Sequence, residues 1–248
     1  MGNSVRVKLI DEYSALPESR EENVLYVSDR QDVLDECKRM GFPVAAYEHD
    51  GIIGLDCPHI LMDLDQVEDE TFLHIYRRCL GLPLEVGQTD RTILREFSMD
   101  RLDDLFDLYS KEGITDFMDP LFDYEEEKEY EANYITFIYK VYGFGMWLVF
   151  DKTTGELIGR AGIEIRESCD RKNQAELGFC ITPERWGQGL AFEVCSKIIE
   201  LAKEEFQLES LIARCDPGNL RSIGLLKKLG FEHVGNETDG DMRFFRWI

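Results

Sequence analysis

Three short stretches carry residues whose types and spacing could do chemistry. "WGQGLA", Trp186 to Ala191, sets two glycines one residue apart before an apolar helical pattern. "AELGFCIT" puts a carboxylate, Glu176, on the strand-like run that leads into those glycines. "DPGNLRSIGLL" offers Asn219 and Ser222 where a second helix should begin. The first N–H groups of a helix lack intrahelical partners and carry partial positive charge, so a helix start can hold a phosphate without a basic side chain. Glycines there let the backbone approach where a Cβ would intervene. Read alone, each also has an ordinary meaning: a helix-start turn, an exposed strand glutamate, a helix cap, a hydroxyl facing its own backbone. Two phosphate motifs are excluded. The nucleotide P-loop needs Gly-Lys followed by Ser or Thr, and the dinucleotide fingerprint needs a third Gly or Ala where this chain has Phe192.

These residues need strands and helices in a particular order. "RTILREF" reads as a strand with Thr92, Leu94 and Glu96 on one side. "SMDRLDDLFDLYSKEG" reads as a helix capped by Ser98, with Leu102, Leu105 and Leu108 as its stripe and Gly113 as its stop. A second helix, about Tyr124 to Tyr142, carries the run "DYEEEKEYE", which as a charge run reads as a solvated face. "MWLVFDKTTGELIGRAGIEIR" is two strands joined at Thr154 and Gly155, and "NQAELGFCITPE" is a strand running into the glycine turn. The helix after Gly189 keeps Ala191, Val194, Cys195, Ile198, Ile199 and Ala202 on one face. The helix after Asn219 keeps Leu220, Ile223, Leu226 and Leu229 on one face and ends at Gly230.

Residues 1–88 follow another rhythm. "NVLYVSD", "FPVAAYEH" and "HILMDLD" read as strands, "QDVLDECKRMG" and "DETFLHIYRRCLGLP" as helices, which is the pattern of a small parallel α/β module. "EVGQTDR", Glu85 to Arg91, reads as the linker to a second domain, 89–248.

Length and composition bound the rest. At 248 residues the chain can bury a substantial core without disulfides. Seven cysteines without a Cys-x-x-Cys pair, and four histidines apart from them, predict reduced thiols and no metal. The N-terminal stretch has no apolar signal-peptide core and no run of about 18 apolar residues occurs, so a cytoplasmic, membrane-free protein is expected. A net charge of −22 argues against nucleic acid and anionic membranes as partners and leaves a cationic partner open.

"WGQGLA" followed by "NLRSIGLLKKLGF" resembles the GNAT superfamily of acetyl-CoA-dependent N-acetyltransferases, and in particular its RimJ/RimL-like branch, over about residues 91–248. The superfamily motif begins with Gln or Arg. Here Trp186 fills that place, as is usual in the branch. The resemblance implies a GNAT fold, a mixed and mainly antiparallel sheet flanked by helices, behind the small α/β module. It implies acetyl-CoA as cosubstrate, with the pyrophosphate held by the backbone of Trp186, Gly187, Gln188, Gly189, Leu190 and Ala191. The strand Phe179, Cys180, Ile181 and Thr182 would pair with the pantetheine amides, and Asn219 and Ser222 would border the cofactor. Glu176 matches a catalytic base position. The acid Tyr of many members is replaced by Leu226, which leaves Ser222 as the hydroxyl at hand. The implied reaction moves an acetyl group directly to a primary amine, a protein N-terminus or a small amine. The alternative is a GNAT-shaped acyl-CoA sensor without turnover. The acidic run from Asp123 to Glu131 would border the acceptor site and favour cationic amines.

Residues 1–88 faintly resemble the last third of haloacid-dehalogenase-like hydrolases, with Asp29 and Asp32 in the metal-holding places. The Asp-x-Asp nucleophile segment is missing, so a noncatalytic module is expected.

Overall fold

The computed structural model describes residues 5–166, 168–169, 171–236 and 242–248. The chain divides between Leu84 and Glu85 into two compact units.

In the first unit, β1 (Arg6–Leu9), β2 (Val24–Ser28), β3 (Val44–Tyr47) and β4 (Ile60–Leu61) form a parallel sheet in that order, with α1 (Gln31–Met40) after β2 and α2 (Asp69–Cys79) after β4. Every residue of β2 is buried, which is what a continuous apolar run implies when both faces of a sheet are covered. Alternation sorts that run. Val24 and Tyr26 share a cluster with Val33, Leu34 and Cys37 of α1, while Leu25 and Val27 pack with Phe72, Ile75 and Tyr76 of α2. Two expectations need correcting. "HILMDLD" yields only the two-residue β4, because Asp63 accepts from the Asp65 N–H and turns the chain into a short 3₁₀ segment. β1 was not foreseen: its alternating cations conceal a largely exposed edge strand.

The second unit is built on an eight-stranded sheet. Its elements in chain order are β5 (Glu85–Gln88), β6 (Thr92–Arg95), α3 (Leu102–Tyr109), α4 (Tyr124–Tyr142), β7 (Met146–Asp151), β8 (Leu157–Glu164), β9 (Gln174–Ile181), α5 (Leu190–Glu204), β10 (Ser210–Cys215), α6 (Leu220–Lys228), β11 (Glu232–Asn236) and β12 (Arg243–Trp247). The strand order is β11-β12-β10-β9-β8-β7-β6-β5, antiparallel at every step but β9–β10. The mixed, mainly antiparallel sheet and the parallel module before it match the expected fold class.

The expected linker Glu85–Arg91 is instead a hairpin. Glu85 to Gln88 pair with Ile93 to Arg95, and the Thr89 N–H closes the turn on the Thr92 carbonyl. Ser98 does not cap α3 with its side chain; a 3₁₀ turn, Met99–Arg101, comes first, and the Leu102, Leu105, Leu108 stripe is buried as expected. In α6 the stripe holds for Ile223, Leu226 and Leu229, but Leu220 stands 74% exposed at the first helical position.

The acidic helix α4 departs most from its reading. Glu125, Glu126 and Glu129 are exposed, whereas Glu127 and Glu131 are buried in line with Tyr134, a stripe at spacings of four and three. Glu127 accepts the Phe122 N–H at 3.0 Å, and Glu131 stands 2.6 Å from an Arg160 nitrogen on β8, both side chains almost wholly enclosed. Burial pushes the Glu131 carboxyl above the ordinary range, against the pull of Arg160. Removing either member of such a pair leaves an uncompensated buried charge.

Candidate active site

β9 and β10 run side by side only from Gln174 to Glu176, opposite Ser210 to Ile212. Beyond Glu176, β10 continues along β12 while β9 continues along β8 alone as far as Ile181. Among the described residues, one edge of β9, from Leu177 to Ile181, is thereby left without a strand partner, and a cleft of about 2700 Å³ opens there. An extended ligand with amide groups can use such an edge as an added strand. Phe179 and Cys180 are half-buried and line the cleft with Ile181.

The far wall begins where β9 ends. Trp186 ties three pieces together. Its indole N–H donates to the Ile181 carbonyl at 2.6 Å, its ring packs on Gly113, where a Cβ would come within 2.9 Å, and the Arg221 guanidinium lies 4.5 Å above it. Gly187 and Gly189 then take left-handed φ values of 75° and 80°. α5 starts at Leu190 with Gly189 as its cap residue and, among the described residues, no side-chain cap hydrogen bond. A Cβ at Gly187 would meet nothing within 4 Å, so the backbone here faces open space. An uncapped helix start on an open cleft suits the doubly charged pyrophosphate of coenzyme A, and the bare β9 edge suits its pantetheine arm. The residues present therefore fit the cosubstrate.

α6 begins differently. The Asn219 side chain accepts the Ser222 N–H at 3.1 Å and so caps its own helix. Both residues line the cleft, and Leu226 is buried in the core beneath.

Glu176 lies on the same cleft, on the face that α3 and α4 cover. Its oxygens accept from Arg214 Nε at 3.0 and 3.1 Å and from Ser168 Oγ at 2.5 Å. The register places Glu164 directly across from it, where it accepts from the Tyr134 hydroxyl. One step along the same face, past the glycine pair 162 and 178, Arg160 stands opposite Cys180. Tyr109 of α3 reaches this spot, and burial pushes both its phenol and the Cys180 thiol above the ordinary range. The structure thus brings Glu176, Ser222, Asn219, the β9 segment and the glycine turn onto one cleft. Of the acidic run it brings Tyr130 there but none of the run's carboxylates. The acids at the cleft, besides Glu164 and Glu176, include Asp116 and Asp119 from the segment after α3.

Sequence reasoning missed Arg214, Arg91, Asp116 and Asp119. Arg214 could have been found as the residue two beyond Ile212, which pairs with Glu176, had the register been known. "ITDFMDP" carried no signal of its own.

In the first unit, Asp29 faces His49 at 3.2 Å and Asp32 is bonded to Arg30. Among the described residues no group of three or more His, Cys, Asp or Glu is disposed to hold a metal. Among them, too, no helix is long and apolar enough to cross a membrane.

Residues 91–232 match the family described as acetyltransferase (GNAT) domain, and the chain belongs to it. YkkB of Bacillus subtilis is 32% identical over 94 residues, which are 38% of this chain and 54% of YkkB, so the chain matches about half the length of that relative. The N-acetyltransferase p20 of Bacillus licheniformis is 27% identical over 155 residues, 61% of this chain and 85% of p20. The second unit also superposes on RimL, a ribosomal L7/L12 alpha-N-protein acetyltransferase solved in complex with coenzyme A, with a TM-score of 0.56. That match covers 66% of this chain and 97% of RimL at 16% identity, a likeness of fold. The second unit accordingly holds an acetyltransferase (GNAT) domain, and the chain shares its fold with RimL.

Proposed function

We propose that the protein transfers an acetyl group from acetyl-CoA directly to the primary amine of a cationic acceptor, a protein N-terminus or a small amine. The observation that carries this is the parting of β9 from β10 after Glu176, with the uncapped start of α5 at the end of the same cleft. In this reading the amine nitrogen attacks the thioester carbonyl, the C–N bond forms, the C–S bond breaks, the amine loses a proton and the thiolate gains one. Glu176 takes the amine proton through water, since its oxygens are already directed by Arg214 and Ser168. Ser222 offers its hydroxyl to the thiolate, because Leu226 cannot. Asp116 and Asp119 draw the cationic acceptor. The first unit is a noncatalytic module, and seven unbridged cysteines suit a reducing compartment such as the cytoplasm.

Acetylation of a panel of amines and N-terminal peptides, with acetyl-CoA as donor, tests the reading. Replacing Glu176 by Gln should lower kcat by about 10²-fold or more, the lower end of general acid–base effects, and leave coenzyme A affinity alone. An unaffected E176Q enzyme would remove Glu176 from the reaction, and a wild-type protein that does not bind coenzyme A would end the proposal. A truncation starting at Glu85 keeps β5 in the sheet and should retain coenzyme A binding.

A further inference from the structure

We infer that Arg91 is a positioning residue for the phosphate cradle: from the β5–β6 turn it pins the Gln188 carbonyl and so aims the Gly189 N–H into the cleft. The inference rests on the coenzyme A reading above.

Arg91 Nη1 donates to the Gln188 carbonyl at 3.0 Å. The peptide between residues 188 and 189 is trans, so its C=O and N–H lie in one plane and point in opposite directions. Arg91 itself lines the cleft, and fixing the Gln188 oxygen on its guanidinium fixes the direction of the Gly189 N–H with it. The need for a pin is physical. Gly187 and Gly189 both sit at positive φ with nothing crowding Gly187, and glycines so placed have wide conformational freedom. Ordering them only on binding would weaken affinity.

The pin is itself held. Glu193, in the first turn of α5, accepts the Arg91 N–H at 2.9 Å and its Nε at 2.7 Å, and its other contacts are Arg91 Nη2 at 2.6 Å and the Thr89 hydroxyl. Lys152 closes the turn from the other side, its N–H on the Arg91 carbonyl and its Nζ on the Thr89 carbonyl. Burial pushes the Glu193 carboxyl up, but the bonds from Thr89 and Arg91 outweigh it, and the net shift is downward. A planar fork holds Glu193 and Gln188 together in one fixed geometry, which a rotatable ammonium does less rigidly. Arg91 also lies beside the cradle, 3.7 Å from where a Cβ of residue 189 would stand. It brings a guanidinium to a motif whose first place is taken here by Trp186.

The test compares donors with and without phosphates. Acetyl-CoA and acetyl-pantetheine are assayed with wild type, Arg91→Ala and Arg91→Lys, and coenzyme A affinity is measured by calorimetry. Arg91→Ala should raise the coenzyme A Kd and the acetyl-CoA KM about tenfold, a typical loss of preorganisation, with kcat and amine KM little changed. Arg91→Lys should recover part of that loss, and kcat/KM for acetyl-pantetheine should stay at the wild-type value in both variants. Equal losses with the two donors, or no change in coenzyme A Kd, would overturn the inference while leaving the acetyltransferase reading intact. Should Arg91→Ala fail to fold, Glu193→Gln, which loosens the guanidinium without removing it, should raise the Kd about threefold on the same grounds. An unchanged Kd in that variant would overturn the inference equally. A wild type that bound no coenzyme A would instead defeat the reading beneath it.

Discussion

The starts of α5 and α6 face the same cleft and solve the same problem in opposite ways. Each helix has orphan N–H groups to satisfy. α6 satisfies one of them with the Asn219 side chain, whereas α5 offers no side chain and places a left-handed glycine there instead. α4 follows α6, with Asp123 accepting the Glu126 N–H. An intrinsic cap stabilises a helix whether or not ligand is present; leaving the cap out keeps the site for something else. The difference separates a helix start that serves the fold from one that serves a ligand, a distinction that glycine spacing alone does not make.

The strongest way to break this contrast is to close α5. Gly189→Glu puts a carboxylate at the open N–H groups and a side chain at φ 80°. Coenzyme A affinity should drop more than about 100-fold, from repulsion and occupation of the site together, while the circular dichroism spectrum stays native. The φ strain, about 1–2 kcal/mol, is too small to unfold a domain of ordinary stability. Wild-type affinity in this variant would mean that α5 start is not the phosphate site.

Ser222 tests whether α6 start contributes chemistry or only architecture. Its N–H is committed to Asn219, and the residue lines the cleft. Ser222→Ala should lower kcat about tenfold with acetyl-CoA KM unchanged, below the usual 10²–10⁴ of general acid–base catalysis because a thiolate leaves without full protonation. An unchanged kcat would return Ser222 to a purely structural part.

How much of this was legible beforehand follows the range of the interactions. The glycine turn, the stripe of Val194, Cys195 and Ile198 and the β2 run are local patterns, and the sequence alone located them. Register is not local. That β10 leaves β9 after Glu176, that Arg214 then meets Glu176, and that Arg91 reaches Glu193 depend on pairings across 38 and 102 positions. Glu127 and Glu131 lie between: their spacing with Tyr134 spelled an inward stripe, but the partners that make it tolerable to carboxylates, the Phe122 N–H for Glu127 and the buried cation of Arg160 for Glu131, are not visible in it. Charge hid the pattern that hydrophobic residues would have shown. The same bias hid β1 and made a linker of β5, both short strands in which polar residues occupy half the positions.

The finest test of the two helix starts is Asn219, where a cap and a ligand contact predict different things. Asn219→Ala removes the acceptor of the Ser222 N–H and should cost about 1 kcal/mol of stability, read as a lower thermal midpoint. If the side chain serves only its own helix, coenzyme A affinity moves less than about twofold beside that loss, because the α5 cradle does not depend on it. Asn219→Asp separates the two roles further. An aspartate caps as well as an asparagine, so the midpoint should recover, while the added negative charge at the cleft wall weakens coenzyme A about threefold at low salt and less at high salt. A large affinity loss in the alanine variant would make Asn219 a ligand contact. The contrast would then lie in which atoms each helix start presents, backbone at α5 and side chain at α6.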